Sequence, residues 1–549
     1  MKRTWWKEAV VYQVYWRSFY DTDGDGIGDL QGVIEKLDYI KELGVDVIWL
    51  NPCYDSPDVD NGYDIRDYYS IMEKAGTFAL WQQLLAEVHK RGMKLIMDLV
   101  VNHTSDEHSW FVESRSSKSN PKRDYYIWKD AKAGAPPNNW RSYFTPSAWE
   151  YDETTDAYYF HSFAVEQPDL NWENPNVRKE IYQMMRFWLD QGIDGFRLDA
   201  IALLAKPNGF PDAENPDDIR YLTNNPGIHK FLREMNEEVL CHYDILTVGE
   251  AAFVTPKEGL LYVGEDRDEL HTIFHFEICD EMPKWDMLRF KEIQQRWYQG
   301  LWGKGWNSQF LNNHDHTRQV SRYGNDREYR IESAKLLATM IHTLPGTPYI
   351  YQGEEIGMTA VYFPSIEEYK DIAVKNKYTE EVAKGGSPKE VLETLRPLAR
   401  DNSRTPMQWD DSGNAGFTKG EPWIQVNPNY TEINVEKDLA DSNSVLAFYK
   451  QLIQLRKQHP VMVYGEYQDV SDGDLHIYAY ARTWEDVCWL IVLNHSDCDR
   501  SFSVPKEYRN PDKLLLANYP ETSFANPLDT ILLRPHEARI YAFQQNAGK

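Results

Sequence analysis

Cysteine is scarce and unpatterned: five in 549 residues, odd in number, scattered and without a CxxC pair. That leaves neither a disulfide framework nor a zinc site, and a reducing compartment fits. Long apolar runs are also missing. No stretch reaches the roughly 18 residues of a membrane span, and Lys7 and Glu8 interrupt the N-terminus before a signal-like apolar segment can form. Basic residues are few against acidic ones, 59 to 86, for a net charge of −27 that repels nucleic-acid backbones and anionic membranes. The expectation is a cytoplasmic monomer that binds neither nucleic acid nor membrane. Low-complexity tracts and short repeats are absent too. At 42% apolar and 14% aromatic, the chain can bury a large core.

What is present is a recurring grammar. Short β-branched and aromatic runs start at Val10, Val45, Lys94, Gly195, Asp244, Thr272, Ser308 and Thr347. Such runs suit parallel strands buried on both faces, and the intervals are long enough for crossover helices. A helix from Leu30 stops at Gly44, a second carrying Leu84, Leu85 and Val88 stops at Gly92, and a third carrying Ile181, Met184 and Trp188 stops at Gly192. Each glycine suits a left-handed helix terminus. The α/β alternation predicts a (β/α)8 TIM barrel rather than an open sheet.

The interval after the third run is polar and aromatic, and predicts a small inserted domain. After Tyr467 alternating segments predict an antiparallel β-sandwich. The expected division is barrel 1–103, inserted domain 104–171, barrel 172–466 and C-terminal sandwich 467–549. A further charged excursion covers 365–398.

Asp199, Glu250 and Asp315 stand where the fourth, fifth and seventh strands should end. A solvated loop acid is the ordinary reading of any one of them. Three converging at a barrel mouth favour glycoside hydrolysis, which needs two carboxylates across one bond. Arg197, two residues before Asp199, should hold that carboxylate ionised as a nucleophile. Glu250, between Val248 and Ala251, has apolar surroundings suited to a general acid.

The segments DLVVNH from Asp98, QPDLN from Gln167, GFRLD from Gly195, VGE from Val248 and NNHD from Asn312 resemble the α-amylase family of glycoside hydrolases. Within it the chain is most similar to the oligo-1,6-glucosidase and α-glucosidase branch, over essentially its whole length. The resemblance implies Asp199 as nucleophile, Glu250 as acid/base and Asp315 as the third acid, gripping sugar hydroxyls. It implies His103, Arg197 and His314 as hydrogen-bond donors around the reacting glucose. Asp60 and Arg400 would clamp the terminal glucose and Tyr63 stack on it, closing a pocket that releases one glucose from the non-reducing end. Phe144, Phe163 and Gln167 are expected along the first aglycone subsite with Ala200. Valine is usual after the nucleophile in branches that prefer α-1,6 bonds, so Ala200 leans toward α-1,4 or broad disaccharide specificity.

The loop DTDGDGIGDL reproduces the first nine positions of a calcium loop with Asp21, Asp23, Asp25, the Ile27 carbonyl and Asp29, but position twelve is Gly32. An EF-hand is excluded. An isolated structural Ca2+ site is expected, with Mg2+ the alternative, since similar enzymes carry either ion here. The Gly24, Gly26, Gly28 spacing is not GxGxxG, which rejects a dinucleotide.

The expected activity is therefore an exo-acting retaining α-glucosidase on maltose, isomaltose, sucrose or sucrose isomers. Its rivals are a sucrose isomerase, a trehalose-6-phosphate hydrolase and a non-catalytic amylase-like scaffold. The isomerases' arginine-rich segment after the sixth strand is replaced by FHFEICDEMPKWDM. No added basic cluster marks a phosphate pocket, and the catalytic acids speak against a scaffold.

Overall fold

The structure, a computed structural model, describes residues 2–471, 473–524 and 526–544. Eight parallel strands form one sheet: β1 (Val11–Val14), β2 (Val47–Leu50), β3 (Lys94–Val100), β4 (Gly195–Asp199), β5 (Leu246–Glu250), β6 (Thr272–Phe274), β7 (Ser308–Gln309) and β8 (Thr347–Tyr351). Their spatial order is β6-β5-β4-β3-β2-β1-β8-β7. Register runs through Val11 opposite both Val47 and Tyr349, Val47 opposite Lys94, and Met97 opposite Phe196. Phe274 of β6 meets Phe310 just past β7 edge to face at 4.9 Å, closing the ring.

Alternation along the strands explains why no polar face is needed. Val11, Val47, Trp49, Ile96, Leu246 and Val248 point inward to a filled barrel core. Their neighbours Tyr12, Ile48, Leu50, Leu95 and Met97 point outward against the helices. Both faces are therefore dry, and only apolar runs can occupy them.

The helix expected from Leu30 is two segments, α1 (Leu30–Glu35) and α2 (Leu37–Leu43), with Lys36 between them at φ −101°, ψ 4°. The Lys36 ammonium there lies 4.1 and 4.2 Å from the Tyr20 and Trp409 ring centroids, a cation–π contact. Helices α3 (Phe78–Lys90) and α4 (Pro175–Gln191) are continuous. Gly44 and Gly192 cap α2 and α4 at φ 103° and 105°, where any side chain would be strained.

The seventh strand is shorter than expected. Its ladder ends at Gln309, and the Asn313 side-chain oxygen then accepts from the backbone N–H groups of Asp315 and His316, turning the chain so that Asp315 faces the mouth.

Between β3 and β4 a three-stranded antiparallel sheet (Trp128–Lys129, Trp149–Asp152, Ala157–Phe160) stands over that mouth. The bridges His103–Asp169 and Tyr126–Leu170 sew this segment back onto the barrel. Beyond β8, helix α5 (Ile372–Ala383) joins the roof. The C-terminal region is a five-stranded antiparallel sheet with a two-stranded partner, sharing a core of Ile477, Leu490, Val492, Ile531 and Tyr541. Among the described residues, no helix is long and apolar enough to cross a membrane.

Candidate active site

At the C-terminal ends of the strands lies a cavity of about 230 Å³. Asp60, Tyr63, His103, Phe144, Phe163, Asp199, Ala200, Glu250, Asp315 and Arg400 all line it. Gln167, Arg197 and His314 do not. They are fully buried one layer behind, committed to holding the lining groups.

Asp199 and Glu250 are the last residues of β4 and β5, adjacent paired strands, which sets their carboxylates side by side. One guanidinium serves both. Arg197 Nη1 donates to Asp199 Oδ1 and Asp98 Oδ1, each at 2.6 Å, while Nη2 lies 2.9 Å from Glu250 Oε2. The backbone N–H of Ala200 also donates to Glu250 Oε2 at 2.9 Å. Ala200 adopts φ 45°, ψ 32°, so its amide is aimed by a left-handed turn.

The electrostatics differ from the expectation at Asp199. Burial pushes its pKa up to about 6, and Arg197, although it opposes this, does not reverse it. The physical reason is burial of the carboxylate, to which the charges of Asp98 and Asp315 add, so that the single guanidinium is outweighed. Glu250 is raised further, to about 7, by burial, with Arg197 opposing and the charges of Asp199 and Asp315 adding to the rise. Asp315 goes the other way. Burial would raise it, but His314, Arg404, Arg400 and Arg197 together hold it well below the usual carboxylate range. Arg404 Nη2 lies 2.5 Å from Asp315 Oδ1. One acid firmly ionised beside a pair poised near neutrality divides the roles by environment.

The inner wall is a hydrogen-bonded stack. Tyr63 lies parallel to His314, centroids 5.4 Å apart and planes 8° apart, with its hydroxyl 2.7 Å from His314 Nε2. Asn51 donates to the same hydroxyl at 2.8 Å, and Gln13 contacts His314 Nδ1 at 2.8 Å. His314 is thus fixed by neighbours, and burial keeps its pKa low. Gln167 donates to Asp60 Oδ2 at 3.3 Å and reaches His103 Nε2 at 3.2 Å, so it braces the wall instead of lining an aglycone subsite.

Part of the cavity wall is an ion cluster. Arg400 donates to Asp60 Oδ1 at 3.0 Å and, through Nε and Nη2, to Asp371 Oδ1 at 2.9 and 2.7 Å. Phe144 lies over the Arg400 guanidinium at 4.9 Å and also meets Phe163, centroids 5.4 Å apart, so it reaches from this cluster toward the Ala200 side. Phe163 packs against His103, centroids 5.1 Å apart, and shares a cluster with Ala200.

Several site residues escaped the sequence reading. Arg404 was visible in principle, four residues after Arg400 and so one helical turn away. Asp371, Tyr143, Asp280 and His316 carried no local signal; chain folding alone brings them to this cavity or, for Asp371, behind it.

In the loop after β1, carboxylate oxygens of Asp21, Asp23 and Asp29 lie within 4.8 Å of one another. Asp25 is outside this group, its Oδ1 accepting from the Ile27 N–H at 2.7 Å. The loop packs on residues 417–423: Asp21 N–H donates to Phe417 O at 3.0 Å and Trp423 N–H to Gly26 O at 2.9 Å. A Cβ on Gly26 would stand 1.8 Å from the Glu421 carbonyl oxygen, so only glycine permits this approach.

Paired acids of split pKa, at the strand ends of a barrel and beside a third that stays ionised, define a barrel glycoside hydrolase. A model of the alpha-amylase catalytic domain matches residues 13–465, and the chain belongs to the alpha-amylase family. It is 56% identical to the oligo-1,6-glucosidase of Parageobacillus thermoglucosidasius and 53% identical to that of Bacillus cereus, over 98% of this chain and 99% and 100% of theirs. An isomaltulose synthase mutant from Erwinia rhapontici NX5, solved with sucrose, superposes with a TM-score of 0.96 at 44% identity, covering 98% of this chain and 99% of that one. A trehalose-6-phosphate hydrolase from Bacillus licheniformis superposes at 0.93 with 47% identity, covering 98% and 100%.

Proposed function

We propose that this chain is an exo-acting retaining α-glucosidase that releases glucose from the non-reducing end of short, uncharged α-glucosides: maltose, isomaltose, sucrose or its isomers. The observation that carries this reading is the Asp60–Arg400–Asp371 ion cluster in the wall of the cavity that holds Asp199 and Glu250. On this reading a sugar chain enters from one side only. Asp199 attacks the anomeric carbon while Glu250 gives its proton to the departing glycosidic oxygen. Glu250, now a base, takes a proton from water, whose oxygen displaces Asp199. Ionised Asp315 accepts hydroxyl hydrogen bonds from the flattened sugar.

The rivals fit the cavity less well. Arg400 is the one arginine or lysine among its lining residues, against Asp60, Asp199, Glu250, Asp280 and Asp315, a charge balance hostile to a phosphorylated sugar. After β6 the cavity is faced by Phe276 and Asp280, with no arginine from that segment among its lining residues. Ala200 supports broad linkage use, and the oligo-1,6-glucosidase relatives support α-1,6 bonds within that range. The glucose first formed from an aryl α-glucoside, whose aglycone is not itself glucose, is expected to be the α-anomer by proton NMR. Initial β-glucose, or internal cleavage of a longer oligosaccharide, would overturn the reading.

We further propose a structural Ca2+, or Mg2+, on the loop after β1. The hard carboxylate oxygens of Asp21, Asp23 and Asp29 fit such a cation, with Asp25 and the Ile27 carbonyl at its margin. When bound, the ion would supply charge neutralisation, pinning the loop to residues 417–423 and taking no part in bond cleavage. A ligand held at a hundred times its Kd adds about 2.7 kcal/mol. Chelation is thus expected to lower the melting temperature by roughly 2 °C for a domain assembly of this size, reversed by added Ca2+. An unchanged melting curve would remove the site. A cytoplasmic monomer completes the reading, supported by the exposed free thiols of Cys241 and Cys498.

A further inference from the structure

Three roof segments meet at Arg141. Its Nη2 donates to both carboxylate oxygens of Glu380, at 2.8 and 3.0 Å, and its Nε lies 3.3 Å from Asp217. Its backbone N–H donates to the Tyr221 hydroxyl at 2.9 Å. The Glu380 pair is shielded, with side chains 22% and 11% exposed, and charge-assisted, with both carboxylate oxygens sharing the one Nη2. Lys384 and Lys377 also face Glu380, at 2.6 and 3.5 Å.

Glu380 rides on α5, and the residue that starts α5 is Asp371. Its Oδ1 accepts from the Ala373 N–H at 3.0 Å as the helix N-cap. The same carboxylate takes three bonds from Arg400: Nε and Nη2 to Oδ1, and the backbone N–H to Oδ2 at 3.0 Å. One rigid helix, spanning about 14 Å between these residues at 1.5 Å each, thus has the glucose clamp at its N-terminus and Arg141 near its other end. The circuit closes through the turn that follows Arg141. Ser142 Oγ accepts from the Phe144 N–H at 2.9 Å, and the Phe144 ring covers Arg400.

We propose that α5 is a strut that sets the position of Arg400, and that Arg141 and Glu380 are positioning residues for the terminal-glucose subsite, acting through Asp371 and Phe144. The inference rests on the clamp assigned under the proposed function. Glu380 touches nothing in the cavity, so its removal acts only by letting the helix and the Phe144 turn drift apart. Binding at the clamped subsite weakens while the Asp199 and Glu250 chemistry stays intact.

The test is to measure kcat, KM for isomaltose and the inhibition constant of free glucose for Glu380→Gln, Arg141→Met, Arg141→Lys and Arg400→Met, with melting curves alongside. Glu380→Gln and Arg141→Met are expected to raise KM and the glucose inhibition constant about fivefold, with kcat within twofold. Arg141→Lys, which keeps the charge, should recover most of the loss, and Arg400→Met should weaken both constants tenfold or more. If Arg400→Met leaves them unchanged, the clamp reading falls and the strut with it. If Arg400→Met weakens glucose but Glu380→Gln and Arg141→Met do not, or lower only kcat and melting temperature, the strut is overturned while the clamp stands.

Discussion

On the proposed double displacement, replacing Asp199 with asparagine is expected to lower kcat by at least about 10⁴-fold on any α-glucoside, because the amide cannot form the glucosyl ester. Glu250→Gln should lose about 10²- to 10⁴-fold on sugars with poor leaving groups, and far less on an activated aryl glucoside that departs without a proton. Electrostatics make the pair separable by pH. Asp199 must be ionised, so activity rises through about 6; Glu250 must be protonated, so activity falls through about 7. A narrow bell between them is expected for kcat/KM, with the two limbs belonging to a coupled pair. In Glu250→Gln the alkaline limb should vanish for the aryl substrate while the acid limb remains. Persistence of the alkaline limb would assign it elsewhere and undo the acid's identification.

Arg197→Met should be the most destabilising single change in the site. Arg197 is wholly buried and is ion-paired with Asp98, Asp199 and Glu250. Breaking a buried ion cluster by deleting one partner costs about 3 to 5 kcal/mol. The loss has a predictable pH dependence. All three acids already have folded pKa values raised above their ordinary ones, to about 6 for Asp98 and Asp199 and about 7 for Glu250, so the native state holds protons the unfolded chain releases. Such groups favour folding most below the unfolded pKa, and that contribution is lost as pH rises through the folded pKa. Without Arg197 these values climb further, so the deficit should be larger at pH 8 than at pH 5. Urea unfolding at both pH values checks this; an equal deficit would mean Arg197 acts by packing alone.

The barrel was legible because its strands and helices are written in periodicity. Val11, Val47 and Ile96 alternate with Tyr12, Ile48 and Leu95 into two dry layers, and Gly44 and Gly192 end helices for a reason of backbone geometry. The break at Lys36 was not legible, since the aromatic ring that receives its ammonium from the far side, Trp409, lies hundreds of residues away. The acids were legible as a set, since strand ends on this fold converge at one mouth.

Sequence by itself determined the layers, the meeting of Asp199, Glu250 and Asp315, and the presence of Asp60 and Arg400 at the same cavity, all matters of local pattern or matched motif. Tertiary structure decided the charges. It buried Asp199 and so raised it against the pull of Arg197, and it gathered Arg404, Arg400 and Arg197 around Asp315 and so lowered it. It also carried Asp371 and Glu380 on one helix to opposite ends of the roof. The physical reason is range: hydrophobic periodicity is read within a few residues, whereas a carboxylate's pKa is the sum of burial and every charge within a few ångströms, whatever their distance along the chain.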